Sequence, residues 1–199
     1  SAALACEEAA ATAKRLGLTV SADMNYRKNL WTAEEAQATM IPMMKHVDIS
    51  IGNEEDAEKC LGVAAEGVDV TAGELNPDAY RPVVQELVDR FDFKKVAITL
   101  RESQSADDND WSAIYYDGEE ILIGKKYPVR IVDRVGGGDS FCAAMIYGQN
   151  QGDWGSRQVL DFAVAASAMS HTFHGDFNLV SVKEVMAVAG GDTSGRVQR

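Results

Sequence analysis

The sequence predicts an α/β fold on a mostly parallel sheet, and three observations carry that expectation. Short β-branched apolar runs alternate with longer stretches of helix formers, the order that covers a parallel sheet with helices. Several of these runs end in clusters of polar residues, and the carboxyl ends of strands are where such sheets bind ligands. The chain has 199 residues, 46% hydrophobic and 25% charged. That is the balance of one folded domain that buries its core without disulfides or a structural metal.

The elements follow in order. Ala2 to Leu16 is rich in Ala, Leu, Glu, Lys and Arg, with Ser1 placed to cap the start of a helix and Gly17 to end it in a left-handed conformation. Leu18 to Ala22 is a short strand running into Asp23, Asn25 and Arg27. Thr32 and Glu35 have capping-box spacing for a helix to about His46. Val47 to Ile51 is a buried strand that delivers Gly52, Asn53, Glu54, Glu55 and Asp56, with Asn53 a natural N-cap. Gly67 to Pro77 reads as a loop, Asp78 to Phe91 as a helix and Lys95 to Leu100 as a third buried strand. Ile114 to Tyr116 and Ile121 to Ile123 flank Asp117-Gly118, a hairpin signal that adds an antiparallel element. Tyr127 to Val132 is another extended run. Helices are expected over Ser140 to Gln149, Ser156 to Thr172 and Val182 to Ala189, and Gly190 to Arg199 has the composition of a frayed end.

Thirty-one acidic residues against nineteen basic ones give a net charge of −12, the wrong sign for a general binder of nucleic acid. A small anionic substrate requires basic residues, backbone amides or a divalent cation to reverse the field locally. Cys6, Cys60 and Cys142 are odd in number and never in a C-x-x-C pair, which argues against a disulfide framework or zinc ribbon. With no apolar run of membrane-spanning length and no signal peptide, the expectation is a cytoplasmic protein without a membrane partner.

Three constellations carry chemistry. Gly136, Gly137 and Gly138 stand before a predicted helix, where residues without Cβ let backbone N–H groups converge on an anion at the positive end of the helix dipole. The spacing fits neither the P-loop nor the G-x-G-x-x-G turn, and the bland alternative is a tight turn. Asp139 follows the glycines, and a carboxylate beside a phosphate site suits a general base facing the attacking hydroxyl; it is also an ordinary first-turn residue. At Asn53 to Asp56, oxygen ligands suit Mg²⁺, directly or through its water shell, against a solvated helix start. At Asp23 to Arg27, a guanidinium suits a clamp on a carboxylate or phosphate, against a surface salt bridge.

Taken together, A-D-M-N-Y-R-K-N-L-W from Ala22 to Trp31, G-N-E-E-D from Gly52, V-A-I-T-L from Val96 and D-R-V-G-G-G-D-S-F from Asp133 to Phe141 resemble the ribokinase-like (PfkB-type) carbohydrate kinases. The resemblance runs from about Ala2 to Val188. The N-Y-R and L-W segment, Arg134 and G-D-F-N from Gly175 to Asn178 look most like the 2-dehydro-3-deoxygluconate (KDG) kinases within that family.

The resemblance implies a three-layer α/β/α sandwich and transfer of the γ-phosphate of ATP, with Mg²⁺, to the 6-hydroxyl of KDG, giving 2-dehydro-3-deoxy-6-phosphogluconate. It implies that Asp139 activates that hydroxyl while Gly136, Gly137 and Gly138 form the anion hole. It places Arg27 and Asn25 with Asp176 at the sugar acid, and Asn53, Thr99 and Arg101 at the nucleotide. Asn53 and Asp56 match the family's N-x-x-E magnesium and phosphate motif, with Asp in place of Glu. Gly137 stands where Ala is common, a change expected to be tolerated because the backbone makes the contact. Arg101 stands where many relatives have Gly, before an acidic loop from Glu102 to Asp110. His171 and His174 are expected to be packing or surface residues. The resemblance also implies that residues 1–199 are the C-terminal, nucleotide-binding part of a kinase domain whose N-terminal strands and lid are missing. Little turnover is expected of these residues alone, and a lid-mediated homo-oligomer is possible in the full-length protein. The rivals are a related hexose, fructose or ribose kinase and a non-catalytic sugar or nucleotide sensor.

Overall fold

The computed structural model describes residues 2–53, 55–64 and 77–191. The expected cap at Ser1, Glu54, the loop from Gly67 to residue 76 and the tail beyond Gly191 lie outside the described residues. The chain forms two compact units, Ser1–Leu100 with Ile114–Ile123, and Arg101–Ala113 with Gly124–Arg199.

The first unit opens with helix α1 (Ala2–Arg15), which ends where expected, with Gly17 at φ 75°. Strands β1 (Ser21–Asp23), β2 (Ile49–Asn53) and β3 (Lys95–Ser103) follow. β1 and β2 pair in parallel from Ser21 opposite Ile49, and β2 and β3 from Ile49 opposite Lys95 to Asn53 opposite Thr99. Helix α2 (Ala33–Met44) carries the predicted capping box: the Thr32 hydroxyl accepts from the Glu35 N–H, and the Glu35 carboxylate accepts from the Thr32 N–H. Helix α3 (Asp56–Leu61) stops at Gly62, left-handed at φ 68°. A 3₁₀ turn at Pro77–Tyr80 precedes α4 (Arg81–Phe91). The helix predicted from Asp78 therefore starts three residues later, with Pro82 in the first turn, where its missing N–H costs nothing.

The alternation of apolar residues places Met24, Ala36, Met44, Val84, Leu87 and Ile98 in one core, each large side chain contributing about 1.5–3 kcal/mol by leaving water. The predicted hairpin forms. Strands β4 (Asp108–Tyr116) and β5 (Ile121–Ile123) pair antiparallel, from Ile114 opposite Ile123 to Tyr116 opposite Ile121.

The second unit contains β6 (Tyr127–Arg130), antiparallel to β4 from Asp108 opposite Arg130 to Trp111 opposite Tyr127. It also contains α5 (Gly137–Gln149), α6 (Ser156–Ser170) and α7 (Val182–Ala189). A second capping box, Ser181 with Glu184, starts α7. Phe141 and Met145 of α5 and Leu160, Ala163 and Val164 of α6 are buried. Gly148 admits Val159 so closely that an added Cβ would lie 3.1 Å from its methyl.

Two expectations are corrected. The sheet is mixed rather than mostly parallel: the strand order is β1-β2-β3-β4-β5 with β6 on β4, parallel where β1, β2 and β3 meet and antiparallel where β4 pairs with β5 and β6. Helices separate the first three strands, whereas β4 and β5 are joined by a turn too short for a parallel crossover. β3 also continues past Leu100 to Ser103, and much of the segment read as an acidic loop is strand and tight turn. The Gln104 N–H donates to the Asp108 carbonyl at 3.0 Å, and the Ser103 hydroxyl to the Asn109 side-chain oxygen at 2.8 Å. Among the described residues no helix is long and apolar enough to cross a membrane.

Asp48 ties the first unit together. Its carboxylate accepts from the Lys14 ammonium at the end of α1 and from the Val20 N–H at 3.0 Å, while its carbonyl accepts from the Lys94 N–H at 2.8 Å. Burial pushes the Asp48 carboxyl up, but these donors outweigh it and hold the group below its ordinary value of 3.8. The folded form thus favours the ionised carboxylate, so its contribution is complete above the ordinary value and is lost as pH falls through the lowered one. Acid unfolding followed by circular dichroism is expected to move to higher pH in Asp48→Ala. An unchanged acid midpoint would contradict the assignment.

Candidate active site

In the second unit the predicted glycine turn opens α5, which begins inside the triglycine at Gly137 rather than at Ser140. Gly136 is the N-cap at φ 81°, and no side chain caps this helix. The Ser140 N–H donates to the Gly136 carbonyl at 2.8 Å and the Gly137 N–H reaches the Arg134 carbonyl at 3.4 Å. Among the described residues the Gly138 and Asp139 N–H groups have no backbone acceptor. Two exposed residues thus present amides at the positive end of a 13-residue helix, an arrangement that attracts an anion. The Asp139 carboxylate is exposed in the same turn.

The turn is gripped from three directions. Asp133 accepts from the Val135 N–H at 3.0 Å with one carboxylate oxygen and from the Gly175 N–H at 3.0 Å with the other. Those two bonds, Val135 first, hold its carboxyl below the ordinary range. A Cβ at Gly136 would collide with the backbone carbonyl of Asp176, so the structure brings Asp176 against the triglycine. A Cβ at Gly137 would strike the His171 imidazole. That ring is 5% exposed, shares a 2.7 Å hydrogen bond between Nδ1 and the Ser167 carbonyl, and packs on Trp111 at 4.6 Å between centroids. Burial first, then the charges of Arg134 and Arg101, push the His171 pKa down.

In the first unit, β1 and β2 deliver a second cluster. Asn53 and Asp56 close a box: the Asn53 side-chain oxygen accepts from the Glu55 N–H at 2.8 Å and the Asp56 N–H at 3.2 Å. One Asp56 oxygen in turn accepts from the Asn53 N–H at 2.8 Å. The other Asp56 oxygen accepts from the Tyr26 N–H at 3.0 Å, which anchors the segment carrying Asn25 and Arg27. Asp56 is 2% exposed. Burial raises its pKa, against the bonds from Asn53 and Tyr26. Burial also pushes the neighbouring Cys60 thiol up to about 12.

The predicted residues divide accordingly. Gly136, Gly137, Gly138, Asp139 and Asp176 share one end of the second unit, and Arg101 is an exposed residue of β3 in that unit. Asn25 is exposed in the first unit at φ 44°, and Arg27 is exposed with its guanidinium donating to the Tyr26 carbonyl at 2.8 Å. Thr99 is buried, its hydroxyl donating to the Gly52 carbonyl at 3.4 Å. Asn53 is half-buried beside Asp56. For Mg²⁺, the oxygens of Asn53 and Asp56 already accept backbone N–H groups. Among the described residues no cluster of three or more acidic, His or Cys side chains forms. With these oxygens engaged by backbone donors, Asn53 and Asp56 suit contact with the ion through its water shell.

The structure accommodates glycine at residue 137, where an added Cβ would meet the His171 ring. His171 itself packs as expected, and His174 is exposed. Sequence reasoning missed Ser167, whose hydroxyl donates to the Gly137 carbonyl at 2.8 Å. The available signal was a serine one turn before His171 in an alanine-rich helix.

Fold and glycine turn together define an α/β protein whose helix α5 starts without a side-chain cap. The chain belongs to the pfkB family of carbohydrate kinases, whose family model matches residues 2–181. It is similar to the 2-dehydro-3-deoxygalactonokinase of Haloferax volcanii, at 28% identity over 92% of this chain and 51% of that protein. It is also similar to the 5-dehydro-2-deoxygluconokinase of Geobacillus kaustophilus, at 26% identity over 81% of this chain and 43% of that protein. Among solved structures, the 2-dehydro-3-deoxygluconokinase of Thermotoga maritima superposes with a TM-score of 0.88 at 46% identity, covering 95% of this chain and 56% of that one. The chain spans about half the length of the curated relatives it matches.

The glycines separate backbone demands from open space. Gly137→Ala is expected to cost about 1–3 kcal/mol of stability because His171 cannot retreat from its buried site. Gly138→Ala, where an added Cβ meets nothing within 4 Å, should be within about 0.5 kcal/mol of wild type. Urea unfolding of both variants checks the order, and equal stabilities would contradict it.

Proposed function

We propose that the protein is an ATP-dependent sugar-acid kinase that phosphorylates KDG on its 6-hydroxyl. The observation that carries this reading is the exposed Asp139 carboxylate in the first turn of a helix whose amides no side chain caps. The 46% identity to the Thermotoga kinase supports the choice of sugar acid, and ATP enters as its magnesium complex. The 6-hydroxyl oxygen attacks the γ-phosphorus, the bond to the β–γ bridging oxygen breaks and ADP leaves. The hydroxyl proton passes to the Asp139 carboxylate. The Gly136 to Gly138 backbone neutralises charge on the transferring group. Arg27 receives the acid end of the sugar, with Asn25 and Asp176 as further sugar contacts. Asn53, Thr99 and Arg101 belong to the nucleotide side.

Coupled ADP-release assays on the complete gene product test this reading with KDG, its galacto epimer, 5-dehydro-2-deoxygluconate, ribose and fructose. KDG should give the highest kcat/KM. Asp139→Asn should lower kcat by about 10²–10⁴, and Arg27→Ala should raise KM for the acid far more than for a neutral sugar. Preference for a neutral sugar defeats the assignment of substrate, and undiminished turnover in Asp139→Asn defeats the catalytic role.

A further inference from the structure

We propose that Ser167 and His171, one turn apart on α6, are positioning residues that aim the Gly138 N–H at the transferring phosphoryl group. The inference rests on the kinase reading above and names what holds its anion site in shape.

α6 runs antiparallel to α5, so its C-terminal turn lies beside the glycine turn: Gly137 meets Ser167 and His171, Ser140 meets Ala166, and Gly148 meets Val159. Ser167 is fully buried, with 0% exposure, and its hydroxyl donates to the Gly137 carbonyl at 2.8 Å. A trans peptide is planar, so the carbonyl of Gly137 and the N–H of Gly138 point in opposite directions. Fixing that carbonyl on Ser167 turns the N–H out of the protein, where Gly138 is exposed and an added Cβ meets open space. A hydrogen bond at one end of a peptide also polarises the other, making the outward N–H a stronger donor.

His171 blocks the remaining freedom. Its ring lies against the Gly137 Cα where a side chain would stand, pinned by the Ser167 carbonyl on Nδ1 and by Trp111 on its face. The peptide is thus hydrogen-bonded through its oxygen and buttressed at its α-carbon, leaving the N–H as its outward group. This accounts for glycine at residue 137: with histidine at 171, a methyl there would displace the peptide.

The test uses the complete kinase with KDG and ATP. Ser167→Ala is expected to lower kcat about tenfold, the effect of one lost hydrogen bond realised in the transition state, with KM for KDG within about twofold. With ¹⁵N-glycine labelling, the Gly138 amide proton should shift upfield in the same variant, a change that general loosening does not confine to one residue. Ser167→Cys keeps the volume but is a weak donor, so it should match Ala in kcat and in shift, and it serves if Ala fails to fold. Gly137→Ala should lose more activity than Ser167→Ala, and His171→Ala added to Gly137→Ala should recover part of it. A folded Ser167→Cys with wild-type kcat and an unmoved Gly138 resonance overturns the inference while an inactive Asp139→Asn leaves the kinase reading standing. Wild-type turnover in Asp139→Asn removes both.

Discussion

The start of α5 leaves the Gly138 and Asp139 amides without a backbone acceptor among the described residues, and the packing around the turn keeps that arrangement. The contrast lies within the same chain. Helices α2 and α7 both carry complete capping boxes, Thr32 with Glu35 and Ser181 with Glu184, each satisfying orphan donors. Helix α5 has Gly136 at the cap and no side-chain acceptor at all. With glycine at the cap the missing side-chain bond costs only about a few tenths of a kcal/mol, and the turn takes its shape from other contacts. Asp133 bonds on both sides of it, and Ser167 and His171 come from behind. Every one of these contacts leaves the N–H end of the turn open, which suits a guest that brings its own negative charge.

The first unit handles its polar strand ends in the opposite way. Asn53 and Asp56 satisfy each other's backbone, and Asp56 also fastens the Tyr26 N–H. A carboxylate used like this is a structural clamp between the end of β1 and the start of α3. Its shorter side chain fits that duty, since both oxygens reach backbone donors at 3.0 Å or less. The loop bearing Asn25 and Arg27 is therefore positioned by the residue that the motif suggested for a metal.

How far this was legible in the sequence follows from the range of the forces involved. The Thr32–Glu35 capping box, the Gly17 stop and the Asp117-Gly118 hairpin depend on residues within a few positions of each other, and each formed as expected. The extension of β3 to Ser103 depends on its pairing with β4, and the mixed sheet depends on which strands become neighbours; neither is written in a local pattern. The same holds at the site. The glycine turn and its following acid stand out in the chain, whereas Ser167 and His171 lie some 30 residues beyond Gly137 and join it only when α6 folds back on α5. An alanine-rich helix gives little reason to single out one serine until its carbonyl partner is known.

The contact between Gly136 and the Asp176 carbonyl limits how this region can diversify. One residue of extended chain covers about 3.3–3.6 Å, so inserting or deleting a residue between Thr172 and Asp176 would drive that carbonyl into the turn or pull it away. It would also break the Asp133 bond to Gly175. Sequence variation here is thereby channelled into exchange of exposed side chains, such as Asp176, Phe177 and Leu179, on a loop of fixed length.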